Sequence, residues 1–299
     1  LPDDIKKYYL KFSDQGYSVL PPHIQYQKKK YSLIYKFFRS SKIIDSIKDG
    51  TIFQKGFAYI LRLIQNGRRQ IIRPLLLRLS YLFRQNLKKE YQRFCSVPDL
   101  DKKFVYVPLN VQPECSTSPQ GDIFVDQILM VKTLAYALPA GWKIYIKEHP
   151  IQWLRFGLEF SSCRYIGYYR KISEIPNVQL VPVETDSYAL INKSQAVATV
   201  TGAAGWEAML RSKPAIIFGY PWYKDCPSVF RVNDAGSCRE ALHEVAGGFK
   251  IDRQKIIDYL KGLGEATLRS YVADSAGEGS GLSKKESMKN ITQFILSNL

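Results

Sequence analysis

From residue 104 onward, short apolar runs alternate with stretches of helical periodicity, and this alternation constrains the fold most. Strands that are apolar on both faces and separated by helices are typical of a parallel sheet with crossover helices. We therefore predict that residues 101–281 form an α/β domain with a Rossmann-like parallel sheet. The predicted strands are 104–109, 143–147, 178–182, 196–200 and 214–218. The predicted helices are 122–138, 186–193, 203–211 and 236–246.

The segment after this domain is predicted to be a separate helix. DSAGEGSG at 274–281 is rich in Gly and Ser and is typical of a flexible connection. Residues 282–299 then form a C-terminal helix, with its periodic part over 282–298. Ser283 and Glu286 have the spacing of a capping box at its start.

Residues 1–100 differ from the rest of the chain in charge. The formal net charge is +16, and residues 1–103 hold 22 Lys and Arg against 8 Asp and Glu. We predict a basic, mostly helical segment, with helices at 57–66 and 73–93. The second helix carries an apolar face that packs on the next domain or contacts an anionic membrane surface.

Composition and motifs exclude several classes of protein. The five cysteines are scattered without a CxxC pair, so we expect neither disulfides nor a zinc site, and a cytoplasmic location fits. The three histidines are far apart in sequence, and we predict no metal site. No apolar run approaches the roughly 18 residues of a membrane span. No nucleic-acid-binding motif is present, and we expect no nucleic-acid partner.

Two predicted strand ends carry residues suited to phosphate. Lys147 and His149 of KEHP follow the second strand, with Pro150 fixing the turn, and both offer positive charge and hydrogen-bond donors. The same residues also suit an ordinary satisfied turn. Because ligands of such sheets bind beyond the carboxyl ends of the strands, we predict a nucleotide-phosphate site here.

The second of these strand ends is TGAAGWEA, which joins the fourth strand to a helix. Gly202 and Gly205 allow close approach of the backbone, and Thr201 precedes them. The helix start offers free N–H groups and the positive end of the helix dipole to a phosphate. Glu207 is suited to bind a ribose diol or to complement the dipole. The alternative is close packing of small residues between helix and sheet.

A long polar loop follows the first strand and supplies candidate catalytic carboxylates. Asp122 is expected to cap the helix that begins there, and Asp126 to lie about one turn inside it. Glu114 has no such structural role. We prefer Glu114 as the catalytic carboxylate, with Asp126 as its rival.

Three segments in this order and spacing resemble the capsule polysaccharide biosynthesis family. They are PLNVQPECSTSPQGDIFVDQ, LPAGWKIYIKEHP and TVTGAAGWEAMLRSKPAIIFGYPWY, within residues 104–232. The family is related to retaining Kdo transferases that use CMP-Kdo. The resemblance implies a glycosyltransferase with a GT-B architecture of two Rossmann-like domains, of which this sequence shows one. Residues 1–100 are interpreted as the remnant of a larger N-terminal domain or as helices with another role.

The resemblance also implies roles for site residues and partners. His149 would contact the nucleotide phosphate, Thr201 and Gly202 would hold the nucleotide, and Glu114 would be the nucleophile. The donor would be CMP-Kdo, without a further cofactor, and the acceptor a lipid-linked or other glycan. The enzyme would lie in the cytoplasm, peripheral to the inner face of the bacterial inner membrane. Two alternatives stay open: a non-catalytic capsule assembly or export protein, and another GT-B enzyme such as a sugar-nucleotide epimerase or a polyol-phosphate transferase.

Overall fold

A computed structural model of the chain describes residues 3–14, 87–112, 117–150, 152, 164–271 and 282–297. The chain divides into two compact units, and these residues all belong to the larger one, formed by Leu1–Val19, Leu87–Gln152 and Ser162–Leu299. The smaller unit comprises Leu20–Asn86 and Trp153–Ser161, outside the described residues. The predicted helix 57–66, most of the predicted helix 73–93 and the connection 274–281 also lie outside them.

Six parallel strands form the sheet of the larger unit, in the order β3-β2-β1-β4-β5-β6. This order is that of dinucleotide-binding Rossmann folds, and the predicted α/β class with a Rossmann-like parallel sheet is confirmed. The strands are β1 (Phe104–Pro108), β2 (Lys143–Lys147), β3 (Val178–Leu180), β4 (Ala196–Thr199), β5 (Ala215–Ile217) and β6 (Val229–Arg231). The first five confirm predicted strands, whereas β6 was not predicted.

Nine α-helices occur in the described part of the chain. They are α1 (Asp3–Ser13), α2 (Leu87–Phe94), α3 (Gln127–Ala137), α4 (Tyr168–Ser173), α5 (Ser187–Lys193), α6 (Ala203–Leu210), α7 (Ala235–Ala246), α8 (Arg253–Ala266) and α9 (Lys284–Ser297). Helices α1, α4 and α8 were not predicted individually. None of the described helices is long and apolar enough to cross a bilayer.

The capping of two helices tests the sequence predictions directly. The predicted capping box of α9 is confirmed, since the Ser283 amide donates to Glu286 Oε2 at 2.9 Å and the Glu286 amide to Ser283 Oγ at 3.2 Å. The predicted start of α3 at Asp122 is wrong. Residues 122–125 form a 3₁₀ turn, and α3 begins at Gln127 with Asp126 as its N-cap.

Two buried clusters hold the helices of one face of the sheet. Alternate side chains of β1, β2 and β4 point to this face and pack with α5 and α6, because successive strand residues point to opposite faces. A second cluster joins α6, β5 and α8 to Ile5, Tyr9 and Phe12 of α1. The short helix α1 is therefore part of the packed domain. The first cluster contains Phe104, Tyr106, Tyr145, Val181, Tyr188, Leu190, Ile191, Val197 and Ala208.

Candidate functional site

The strand order reverses direction between β1 and β4, and this switch point is where open parallel sheets bind ligands. Asn110 follows β1 and joins its end to the end of β4. Its side-chain oxygen accepts a hydrogen bond from Thr199 Oγ1 at 3.3 Å, and its amide nitrogen donates to Thr201 Oγ1 at 3.5 Å. At the switch point, the structure thus places Asn110, which was not predicted as a site residue, next to Thr201, which was.

The loop between β1 and α3 packs tightly against the residues that follow β4 and β5. The Tyr220 amide donates to the carbonyl of Gln120 at 2.9 Å. A Cβ at Gly219 would lie 2.6 Å from that carbonyl oxygen, and a Cβ at Gly121 would lie 2.7 Å from Val200 Cγ1. Only glycine fits these contacts without a shift. Glu114, the preferred nucleophile, belongs to the same loop but lies outside the described residues.

Helix α6 begins at the switch point without a carboxylate cap. Its N-cap is Gly202, which has no side chain to accept from the first amides of the helix. Among the other α-helices whose starts the structure describes, α9 is capped by Ser283, and four have an aspartate as N-cap, which are Asp126 for α3, Asp186 for α5, Asp234 for α7 and Asp252 for α8. The N-cap of α4 is Gly167, and Glu90 of α2 accepts hydrogen bonds from the Gly167 and Tyr169 amides. The start of α6 is the one described α-helix terminus that combines an acid-free N-cap with the switch point. Unfilled N-terminal amides and the helix dipole attract anions.

The two glycines of TGAAGWE have separate packing roles. A Cβ at Gly202 would lie 2.7 Å from Thr199 Oγ1, which already accepts the Gly202 amide at 3.1 Å. A Cβ at Gly205 would collide with the hydroxyl of Tyr223. That hydroxyl donates to the Gly202 carbonyl. Close packing between helix and sheet, the alternative reading of this stretch, therefore coexists with an open helix start.

Glu207 lies at the start of the second turn of α6. Its side chain is half-buried, and no hydrogen bond reaches its carboxylate within the described part of the chain. Burial raises the pKa of Glu207 to about 7, and the nearby Arg211 opposes this rise. A carboxyl group that is half-buried and lacks a donor can accept hydrogen bonds from a ligand.

Lys147, the last residue of β2, and Glu148, the next residue, are occupied by contacts inside the protein. Lys147 is buried, and its ammonium donates to Ser187 Oγ at 2.7 Å and to the carbonyl of Thr185. Glu148 is fully buried and accepts from the His149 amide at 2.8 Å. The side chains of His149 and Pro150 are half-buried, so both are more accessible than Lys147 and Glu148.

A buried polar network, which the sequence did not predict, ties the ends of β1 and β2 together. Arg164 donates to Glu148 Oε2 at 2.8 Å, to Gln112 Oε1 at 2.7 Å and to the Asn110 carbonyl at 2.9 Å. The Tyr169 hydroxyl donates to the same Glu148 oxygen at 2.7 Å. Burial alone would lower the pKa of Arg164, but Glu148 reverses this and raises the pKa. The one signal in the sequence is a charged residue directly after a buried strand.

The remaining predicted carboxylate, Asp126, caps a helix. Asp126 Oδ1 accepts from the amides of Ile128 at 2.9 Å and Leu129 at 3.4 Å. The expectation that Asp126 lies one turn inside the helix is therefore wrong. Among the described residues, no group of three His, Cys, Asp or Glu side chains could hold a metal ion.

Residues 83–227 match the family described as capsule polysaccharide biosynthesis protein. This part of the chain is similar to that family, and it makes up just under half of the sequence. The match spans both turns of the candidate site, KEHP and TGAAGWE, and confirms the resemblance seen in the sequence. No curated protein matches the sequence.

Several solved structures are similar to the chain over part of their length. The β-Kdo 2,7 transferase of Thermosulfurimonas dismutans KpsC is 18% identical, with a TM-score of 0.36, and the match covers 63% of this chain and 62% of that one. The β-Kdo 2,4 transferase of the same protein is 18% identical, with a TM-score of 0.35 and coverages of 56% and 55%. The UDP-GlcNAc 2-epimerase of Methanocaldococcus jannaschii is 14% identical, with a TM-score of 0.34 and coverages of 54% and 42%. The chain thus spans less than two thirds of each of these structures.

Proposed function

We propose that this chain is the donor-binding part of a glycosyltransferase of capsule polysaccharide biosynthesis. The donor is CMP-Kdo, and the acceptor is a lipid-linked or other surface glycan. The observation that carries the proposal is the uncapped start of α6 at the switch point, in a segment that matches the capsule family. The choice of Kdo and CMP rests on the resemblance of the three sequence motifs.

In this proposal the phosphate of CMP binds at the start of α6. The amides of Ala203 and Ala204 have no acceptor within the helix and point to the anion, as the first amides of an α-helix do. His149 approaches from the end of β2 and donates a further hydrogen bond. These donors stabilise the negative charge that develops on the leaving phosphate. Glu207 accepts from the ribose hydroxyls.

A retaining reaction by double displacement needs a carboxylate that attacks the anomeric carbon. We assign this role to Glu114, whose loop starts beside Asn110 at the switch point. The carboxylate of Asp126 already accepts two amides of α3, which favours a structural role for it. Glu114→Gln is therefore expected to abolish transfer in the full-length enzyme and to leave CMP binding intact. Full activity of Glu114→Gln together with an inactive Asp126→Asn would exchange the two roles.

Calorimetric titration with CMP tests the nucleotide site. We expect His149→Ala and Glu207→Gln each to weaken CMP binding by about 1–3 kcal/mol, the usual value of a hydrogen bond that involves a charged group. His243→Ala is the matched control, because His243 is exposed on α7 and the proposal gives it no ligand. If CMP does not bind, or if the control weakens it as much as His149→Ala does, the site is wrong.

The same titration separates the alternatives. A non-catalytic capsule assembly or export protein need not bind CMP, UDP or CDP. A sugar-nucleotide epimerase would prefer a UDP-linked ligand, and a polyol-phosphate transferase a CDP-linked one. Donor screening with the three nucleotide classes therefore decides between these functions.

The basic N-terminal segment supports a peripheral location on the cytoplasmic face of the membrane. Lys and Arg near an anionic surface each contribute about 1 kcal/mol to binding. We expect the full chain to sediment with anionic vesicles more than with neutral ones, and less so at high salt. Equal sedimentation with both vesicles would contradict this location.

A further inference from the structure

Two large aromatic side chains are exposed at the carboxyl edge of the sheet, beyond the nucleotide site. Tyr220 and Trp222 follow β5 and are 48% and 59% exposed. Single exposed aromatic residues are common, but neighbouring ones at a ligand-binding edge indicate a contact surface. The proposed nucleotide contacts use neither of them.

The backbone connects Tyr220 directly to the loop of the proposed nucleophile. Its amide donates to the Gln120 carbonyl at 2.9 Å. The preceding Gly219 lies so close to Thr201 that a Cβ there would be 3.0 Å from Thr201 Cγ2. A ligand that stacks on the side chain of Tyr220 would therefore lie next to the switch point.

Trp222 is held in place by other aromatic rings. Its ring centroid lies 4.7 Å from that of Trp206, and it meets Tyr223 edge-on at 5.4 Å. Trp206 belongs to the first turns of α6, and the hydroxyl of Tyr223 donates to the Gly202 carbonyl. Trp206 and Tyr223 thus hold Trp222 in place, with its exposed side near the proposed phosphate site.

A cation completes this surface. Arg231 ends β6 at the same edge, and its guanidinium carbon lies 5.4 Å from the centroid of the Tyr220 ring. Among the residues that the structure describes, no carboxylate forms an ion pair with Arg231. The surface therefore combines apolar ring faces with a positive charge that has no acidic partner.

We propose that Tyr220, Trp222 and Arg231 bind an acidic sugar of the acceptor glycan. One face of a pyranose ring carries C–H groups and can stack on an aromatic face, as other flat apolar groups do. A carboxylate on the same sugar pairs with the Arg231 guanidinium. The assignment of this sugar to the acceptor rests on the proposed function, whereas its binding at this surface does not.

The test is a calorimetric titration of the full chain with Kdo disaccharide, and with maltose as the neutral control, in the absence of nucleotide. We expect Tyr220→Ala and Trp222→Ala each to weaken binding of the Kdo disaccharide about 10-fold, and Trp222→Phe to retain most of it. Arg231→Gln removes the preference for the acidic sugar over maltose. CMP binding is unchanged in all four variants.

Tyr136→Ala is the matched control, because Tyr136 is an exposed tyrosine with Arg239 over its ring at 5.5 Å, near the C-terminal end of α3. The proposal is overturned if the wild-type chain binds neither saccharide, if it binds maltose equally well, or if Tyr136→Ala matches Tyr220→Ala. Self-association that Trp222→Ala abolishes, without saccharide binding, would identify a protein interface and also overturn it. Saccharide binding without CMP binding would contradict the proposed donor site and leave this inference intact.

Discussion

The turns after β2 and β4 lie at the same edge of the sheet, yet they satisfy their polar groups in opposite ways. At the end of β2, Lys147 and Glu148 are buried and make hydrogen bonds within the protein. After β4, the start of α6 lacks a side-chain cap, and no hydrogen bond reaches Glu207 in the described part of the chain. Of the two turns, the one after β4 leaves more of its hydrogen-bonding capacity for a ligand.

The difference follows from the cost of burial. A charge that is removed from water must find a partner, and Glu148 finds Arg164 across the end of β1. A helix start at the sheet edge stays accessible and can exchange water for an anion. The motifs KEHP and TGAAGWE both contain residues that suit phosphate, yet they need not have the same role. Four sets of variants test the difference between the two turns.

The largest effect is expected from the turn after β2. Arg164→Met leaves Glu148 buried without its ion pair, and we expect it to lower the free energy of unfolding by about 3–5 kcal/mol. Urea denaturation measures this. Arg170→Met is the control, since the Arg170–Glu174 pair is exposed and 3.8 Å apart, and its loss is expected to cost less than about 1 kcal/mol. Equal costs for the two variants would contradict the described role of the buried network.

The packing of the turn after β4 is tested by Gly205→Ala. The new methyl group would collide with the Tyr223 hydroxyl, and we expect a loss of about 1–3 kcal/mol in the free energy of unfolding. Adding Tyr223→Phe removes the colliding oxygen and should recover part of the loss. The control is Gly262→Ala in α8, where nothing lies within 4 Å of the new methyl group and a gain of about 0.5–1 kcal/mol is expected. A loss at Gly262 of the same size as that at Gly205 would contradict this explanation.

The pH dependence of stability tests the environment of Glu207. Because burial raises its pKa from 4.5 to about 7, the folded protein binds the proton more tightly than the unfolded chain does. The stabilisation that the protonated Glu207 contributes is complete below pH 4.5 and is lost as the pH rises through about 7. We expect it to total about 1–3 kcal/mol in the free energy of unfolding. Urea denaturation of the wild-type chain and Glu207→Gln across this range measures the difference. A parallel pH dependence of the two proteins would show that Glu207 is not responsible.

The smallest effect is expected at the start of α3, which Asp126 caps, in contrast to the uncapped start of α6. Asp126→Ala removes the acceptor of two α3 amides and is expected to lower the free energy of unfolding by about 1 kcal/mol. Asp126→Asn retains a capping oxygen and should change it little. Thermal denaturation of both variants measures the difference, and a larger loss for Asn than for Ala would contradict capping as the role of Asp126.

Local patterns in the sequence determined the class of fold and most of its elements. KIYIK at 143–147 is strand β2 with the predicted bounds, and the predicted helix 203–211 is α6 to within one residue. These predictions succeed because the pattern of apolar and polar residues indicates which faces of an element are buried. This pattern is local, since it can be seen within a few neighbouring residues or helical turns. The capping box of Ser283 and Glu286 was predictable for the same reason.

Only the tertiary structure decided how distant residues satisfy one another. Strand β6 lacks a buried apolar run, because its residues VFR are half-buried or exposed, and pairing with β5 defines it. The choice between Asp122 and Asp126 as helix cap depends on how the preceding loop packs under Val200 and Gly219. The partner of Glu148 is 16 residues away in sequence, and no local pattern marks Arg164 as that partner. Burial creates the demand for a partner, but the position of that partner is set by the packing of the sheet and its loops.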